Sequence, residues 1–242
     1  MPTALDIAFA VFFTLIITAF DTIYFVPKFK AAVAAGVPNA RLHAYQRTVL
    51  GQWAFAAAAI ILWMRSGRSW SALGVVPPAD GRMLASLAIV ALIVGATVQQ
   101  VRAIGRTTPE RRLAIRPKLA FVEYLLPHSR DELRWFTALS VTAGVCEELL
   151  YRGFLFWLLK AYVGVALAAL IGVILFGALH LYQGKRGAFK AGMAGLVMTI
   201  IVLLTGWLFP AMVVHALVDL GAGVLGFAVL GTRDGVRLSP ET

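Results

Sequence analysis

The amino-acid sequence predicts an all-α fold, a polytopic transmembrane helical bundle of about seven spans, on three observations. Of its 242 residues, 60% are hydrophobic and only 14% charged. Several apolar stretches are long enough to cross about 30 Å of hydrocarbon as helices. Gly, Pro and charged residues gather between those stretches rather than within them. The chain reads as a single membrane domain over 1–242, with no internal repeat and no low-complexity segment.

Taken in order, spans are expected at about 4–26, 46–64, 83–101, 135–159, 163–182, 188–206 and 208–230. The first lacks a basic leader and a small-residue cleavage site, so it reads as a retained span rather than a signal peptide. The breaks fall at GVPNA (36–40), GVVPPADG (74–81), RTTPE (106–110), YQGKRG (182–187) and LTGWLFP (204–210). Before the fourth span, LLPHSRDELRWF sets Leu125, Leu126, Leu133, Trp135 and Phe136 among charges, the pattern of an interfacial amphipathic entry that anchors the helix. In the fifth span Gly164, Ala168 and Gly172, four apart, offer a smooth face for close helix approach.

The net charge is +10. In a chain this apolar, basic residues signal topology and contact anionic lipid of the bilayer; with no arginine-rich arm or interleaved aromatic patch, nucleic acid is not an expected partner. Lys and Arg concentrate in the first, third and fifth connections and in the tail at Arg233 and Arg237, and are sparse in the others. The positive-inside rule then places the N-terminus outside and the C-terminus in the cytoplasm of a multi-pass cell-membrane protein. The one cysteine, Cys146, excludes an internal disulfide and a multi-cysteine metal site.

The ionisable residues that stand out within the last four spans are Glu147, Glu148 and Arg152 on the fourth, His180 on the fifth, and His215 and Asp219 on the seventh. A charged side chain at the bilayer centre costs roughly 2.5–3.5 kcal/mol on insertion scales, so each needs pairing, water or a task. Glu148 and Arg152, four apart, face each other in the favoured order for an ion pair. Glu147 points about 100° away and is left without that partner, which suits it to moving protons. His215 and Asp219 share the four-residue spacing, placing a carboxylate where it can fix an imidazole tautomer. Phe176 precedes His180 by the same interval and reads as packing. Each feature also has a structural reading, a satisfied core histidine or a helix-locking ion pair. The conjunction of two histidines, one free carboxylate and one orienting carboxylate on three helices points to a site. There is no HExxH helix and no Gly-x-Ser-x-Gly elbow. Ser140 has no evident base, and Cys146 reads as a small buried residue rather than a nucleophile.

The ordered set EELLYR (Glu147, Glu148, Arg152), FGALH (Phe176, His180) and HALVD (His215, Asp219) resembles the CPBP or ABI family of intramembrane proteases, which includes the CAAX prenyl endopeptidase. The likeness takes in SALGVVPP and LLPHSRDELRWF and covers a core of about 70–231. The resemblance implies a cavity opening toward the cytoplasm and hydrolysis of a peptide bond in a membrane-associated peptide or protein. Glu147 would be the general base, His180 its partner on the water and His215 the oxyanion stabiliser; Arg152 would hold Glu148. It leaves open a metal-free mechanism or a divalent metal such as zinc, with Glu147, His180 and His215 the candidate ligands. The prenyl endopeptidase has Asn where this chain has Asp219, and an ionised carboxylate would repel an oxyanion that an amide N–H stabilises. Asp219 is therefore expected to orient His215, to stay protonated, or to help a cation bind. The alternative reading is a non-enzymatic immunity or scaffold protein of the same fold; an ion-coupled transporter ranks last, because no inverted repeat or broken half-helix is visible.

Overall fold

A computed structural model of the chain describes residues 1–231; Arg233 and Arg237 of the expected cytoplasmic tail lie outside the described residues. Within that range the chain is helical, without strands. The helices are α1 (Ala4–Ala34), α2 (Ala40–Arg65), α3 (Gly81–Gly105), α4 (Pro109–Leu119), α5 (130–163), α6 (165–179), α7 (Gly184–Thr205) and α8 (Leu208–Leu230).

Six helical stretches among the described residues are long and apolar enough to cross a membrane. One of them, Arg130–Leu179, has 50 residues. At 1.5 Å per residue that is about 75 Å, more than twice the hydrocarbon thickness, so it must turn back. It does so at Gly164, whose φ of 77° and ψ of 173° only glycine adopts readily. The result is the seven-span bundle that the hydropathy pattern predicts, with α5 and α6 joined by a single residue.

The ends differ from expectation where local chemistry outruns hydropathy. α1 continues past Pro27, which has no N–H to donate; the turn Asp21–Phe25 before it widens into a π-helix, and Pro27 opens the next α-helical segment. α4 is not foreshadowed by any apolar run. Thr108 caps it, its hydroxyl accepting from the Arg111 N–H, and Pro109 starts it, although Arg111, Arg112, Arg116 and Lys118 make it basic. α5 begins at Arg130, inside the amphipathic entry, because the Ser129 hydroxyl accepts from the Glu132 N–H while Glu132 accepts from the His128 N–H. That entry is folded into the protein: Leu126 and Pro127 are buried, and the Tyr45 hydroxyl donates to the Leu125 carbonyl at 2.7 Å.

α8 is central and packs against α5, α3 and α7; α2 lies on α5, and α6 on α7. Close approach is made at glycines. A Cβ on Gly144 would stand 2.6 Å from the Met212 carbonyl oxygen, and one on Gly177 3.2 Å from Gly192 Cα. Gly164 and Gly172 instead face open space, so the expected smooth stripe of α6 is in contact at Ala168 alone, and the α6–α7 seam runs through Gly177. The outer faces carry exposed Leu84, Leu92, Ile174 and Leu204, the reverse of a water-soluble surface.

Side-chain ties collect the connections at two ends. Tyr124 and Lys30 both donate to the Tyr182 carbonyl, and Arg41 donates to the Tyr124 carbonyl, which joins the first, third and fifth connections. At the other end the Leu208 N–H donates to the Gly74 carbonyl, and Arg68 grips Asp6. The alternation required by odd and even spans is therefore present in the packing.

Candidate active site

Glu147 ends the regular winding of α5, and from Glu148 to Leu155 the same helix winds as a π-helix. Such widened turns re-aim side chains and recur at functional sites. Here the π segment includes Glu148 and Arg152, which still pair at 2.9 Å. Arg152 also donates to the Gly195 carbonyl on α7 at 3.1 Å and lies 4.1 Å from the centre of the Phe176 ring. Gly195 is required by this contact, since a Cβ there would sit 2.7 Å from the guanidinium and 2.9 Å from Phe176.

Glu148 is fully buried, and its Oε1 serves two donors, Arg152 Nη1 and His215 Nδ1, the latter at 2.7 Å. A carboxylate paired with arginine only accepts, so His215 carries a proton on Nδ1, and Nε2 is turned away from Glu148. His215 Nε2 faces Glu147 Oε2 at 3.9 Å and Asp219 Oδ2 at 3.7 Å. The other oxygen of Glu147, Oε1, accepts from Gln52 Nε2 on α2 at 2.7 Å. Glu148 Oε2 is buried and, among the described residues, accepts from nothing.

His180 caps the C-terminal end of α6. Its Nδ1 donates to the Phe176 carbonyl at 2.7 Å, which leaves Nε2 as the outward nitrogen. Phe176 touches both histidines, with ring centres 4.7 Å from His180 and 6.0 Å from His215, and meets Tyr151 edge-on. Asp219 interacts electrostatically with His180 as well as with His215 and Glu147. The structure thus brings Glu147, Glu148, Arg152, Phe176, His180, His215 and Asp219 into one cluster from α5, α6 and α8.

Two details depart from the sequence reading. The hydrogen bond that orients His215 is donated to Glu148 across the bundle, while Asp219 at 3.7 Å is too far for one. Glu147 is not partnerless, because Gln52 holds it. Neither was foreseeable from spacing within one helix; the available signal for Gln52 was a glutamine beside the apolar run WAFAAAAII of the second span. Ser140 donates its hydroxyl to the Phe136 carbonyl, and Cys146 is fully buried, in keeping with their packing roles. Among the described residues, no three His, Cys, Asp or Glu side chains are grouped to hold an ion.

The comparison with curated proteins found no match, nor did the comparison with solved structures. One family model matches: residues 129–221, the stretch that holds every residue of the cluster except Gln52, match the Rce1-like family, described as type II CAAX prenyl endopeptidase Rce1-like.

Proposed function

We propose that this multi-pass membrane protein is an intramembrane endopeptidase that hydrolyses a peptide bond in a membrane-associated substrate, with water activated by Glu147 and His180. The observation that carries the proposal is the facing pair Glu147 Oε2 and His215 Nε2, 3.9 Å apart, with the far atoms of both side chains already engaged, by Gln52 and Glu148. Such a pair presents a base and a proton donor to one reacting centre. The match to the Rce1-like family supports the reaction class.

In this account Glu147 Oε2 takes a proton from a water whose other contact is His180 Nε2. The water oxygen attacks the peptide carbonyl carbon, and the charge that develops on the carbonyl oxygen is met by a protonated His215. Glu147 then returns the proton to the departing amide nitrogen as the C–N bond breaks, leaving a carboxylic acid and an amine. Two carboxylates face His215 Nε2 and a third holds its Nδ1. Asp219 is the outer of these, a charge partner rather than an oxyanion donor. Glu148 and Arg152 hold the imidazole from behind, and Phe176 spaces the two histidines. In this reading the positive-inside rule puts the N-terminus outside the cell membrane, and the site opens toward the cytoplasm.

The test is cleavage of prenylated and unmodified reporter peptides by the purified protein in vesicles, in ¹⁸O-labelled water. One labelled oxygen in the new carboxyl group, in the presence of a chelator, is expected. No cleavage of either peptide would favour the immunity or scaffold reading, and metal-reversible loss on chelation would replace the metal-free mechanism.

A further inference from the structure

Gln52 lies on α2, outside the matched 129–221 segment, in the run GQWAFAAAAII, where small and apolar residues otherwise prevail. An ionised carboxylate only accepts, so the amide NH₂ must face Glu147 Oε1, and the carbonyl oxygen of the same amide points elsewhere. That oxygen, Gln52 Oε1, is buried and accepts from nothing among the described residues. A buried acceptor without a donor costs stability, which an apolar residue of similar size would avoid. The next residue, Trp53, donates from its ring nitrogen to the Thr142 hydroxyl on α5 at 3.1 Å, so α2 is fastened to α5 close to Glu147. The geometry therefore supplies a rigid donor to one Glu147 oxygen and, on the same carbon, an unused acceptor.

We infer that Gln52 is a positioning residue of this site: its N–H pins Glu147 Oε1 so that Oε2 is the oxygen presented to the reacting water, and its carbonyl oxygen accepts the water O–H that Glu147 does not take. The water thereby gives one proton to Glu147 and keeps the other on a hydrogen bond to Gln52 while its oxygen forms the new C–O bond. This rests on the proposed hydrolysis. The titratable groups around Glu147 are His215 and Asp219 from α8, His180 and Tyr182 after α6, and Cys146, Glu148 and Tyr151 on its own helix. Gln52 is the partner from α2.

The experiment compares the full-length parent with Gln52→Leu, Gln52→Glu and Glu147→Gln on one reporter peptide, with kcat, KM and thermal melts across pH. Gln52→Leu is expected to lower kcat about 10- to 100-fold, the scale of a misplaced catalytic group, with KM little changed and no loss of thermal stability. Gln52→Glu can donate to Glu147 only while protonated, so its rate should fall as pH rises through a range where the parent's does not. A purely structural role would give no such pH dependence. An active parent with inactive Glu147→Gln but a parental kcat in Gln52→Leu overturns this inference and leaves the proposed function standing. Should Gln52→Leu not fold, a parental pH profile in Gln52→Glu overturns it equally. A parent that cannot cleave, or a Glu147→Gln that can, overturns both.

Discussion

Two buried carboxylate–arginine pairs stand in different regions of the bundle, and they are finished to different degrees. Asp6 accepts from both terminal nitrogens of Arg68 and from the backbone and hydroxyl of Thr3, and Arg68 is stacked over Trp157 at 4.3 Å and Trp63 at 5.4 Å. No acceptor is left over. Glu148, by contrast, loads one oxygen with both Arg152 and His215 and leaves the other without a donor, while beside it Glu147 has one oxygen held and one turned toward His215. A saturated pair fastens helices; an unsaturated cluster keeps hydrogen-bonding capacity for something that arrives. The difference separates structure from chemistry more sharply than charge or burial does, since both pairs are charged and buried.

The largest effect that would sharpen this contrast is expected at the histidines. His180→Ala and His215→Ala should each reduce turnover by about 10²–10⁴-fold, and the double variant should cost much less than the product, as for groups acting as one unit. Independent, multiplying losses in single-turnover assays would put one of them outside the site. Glu148→Gln should damage both properties, because it strips the charge facing Arg152 and weakens the acceptor orienting His215. A loss of about 3–5 kcal/mol in stability is the scale for breaking a buried pair, and an unaltered melt in detergent would show that the pair is not structural. Asp6→Asn should lower stability on a similar scale while kcat per folded molecule stays near the parent's. If its turnover fell as steeply as in the histidine variants, the division between the two regions would collapse. The smallest effect is expected at Asp219→Asn, which removes a charge 3.7 Å from His215 without breaking a hydrogen bond. It should remain active, reduced several-fold, with its pH–rate profile shifted by the lost charge; complete inactivity would assign Asp219 a direct part in the reaction.

How far these regions were legible in the sequence follows from the range of the interactions. The spans and the seven-helix count were readable because hydropathy over some twenty residues is a local property. The pairing of Glu148 with Arg152, four apart on one helix, was readable for the same reason, and it persists in the π-helical winding that spacing rules did not anticipate. The Glu148–His215 and Gln52–Glu147 hydrogen bonds join residues far apart in the chain, and no periodicity encodes them. Nor did hydropathy reveal α4, which is held by a cap and a proline rather than by an apolar face. The Asp6–Arg68 pair was hidden in the same way, its members lying at the edges of two spans where charges normally meet water.

The most direct test of the central claim, that the unsaturated cluster carries the chemistry, is the cleavage rate of Glu147→Gln measured beside its thermal melt in the same preparation as the parent. Glutamine keeps the side chain's volume and removes the base. The account predicts cleavage reduced to background with a melt unchanged from the parent; cleavage at more than a few per cent of the parental rate by a folded Glu147→Gln protein would contradict it.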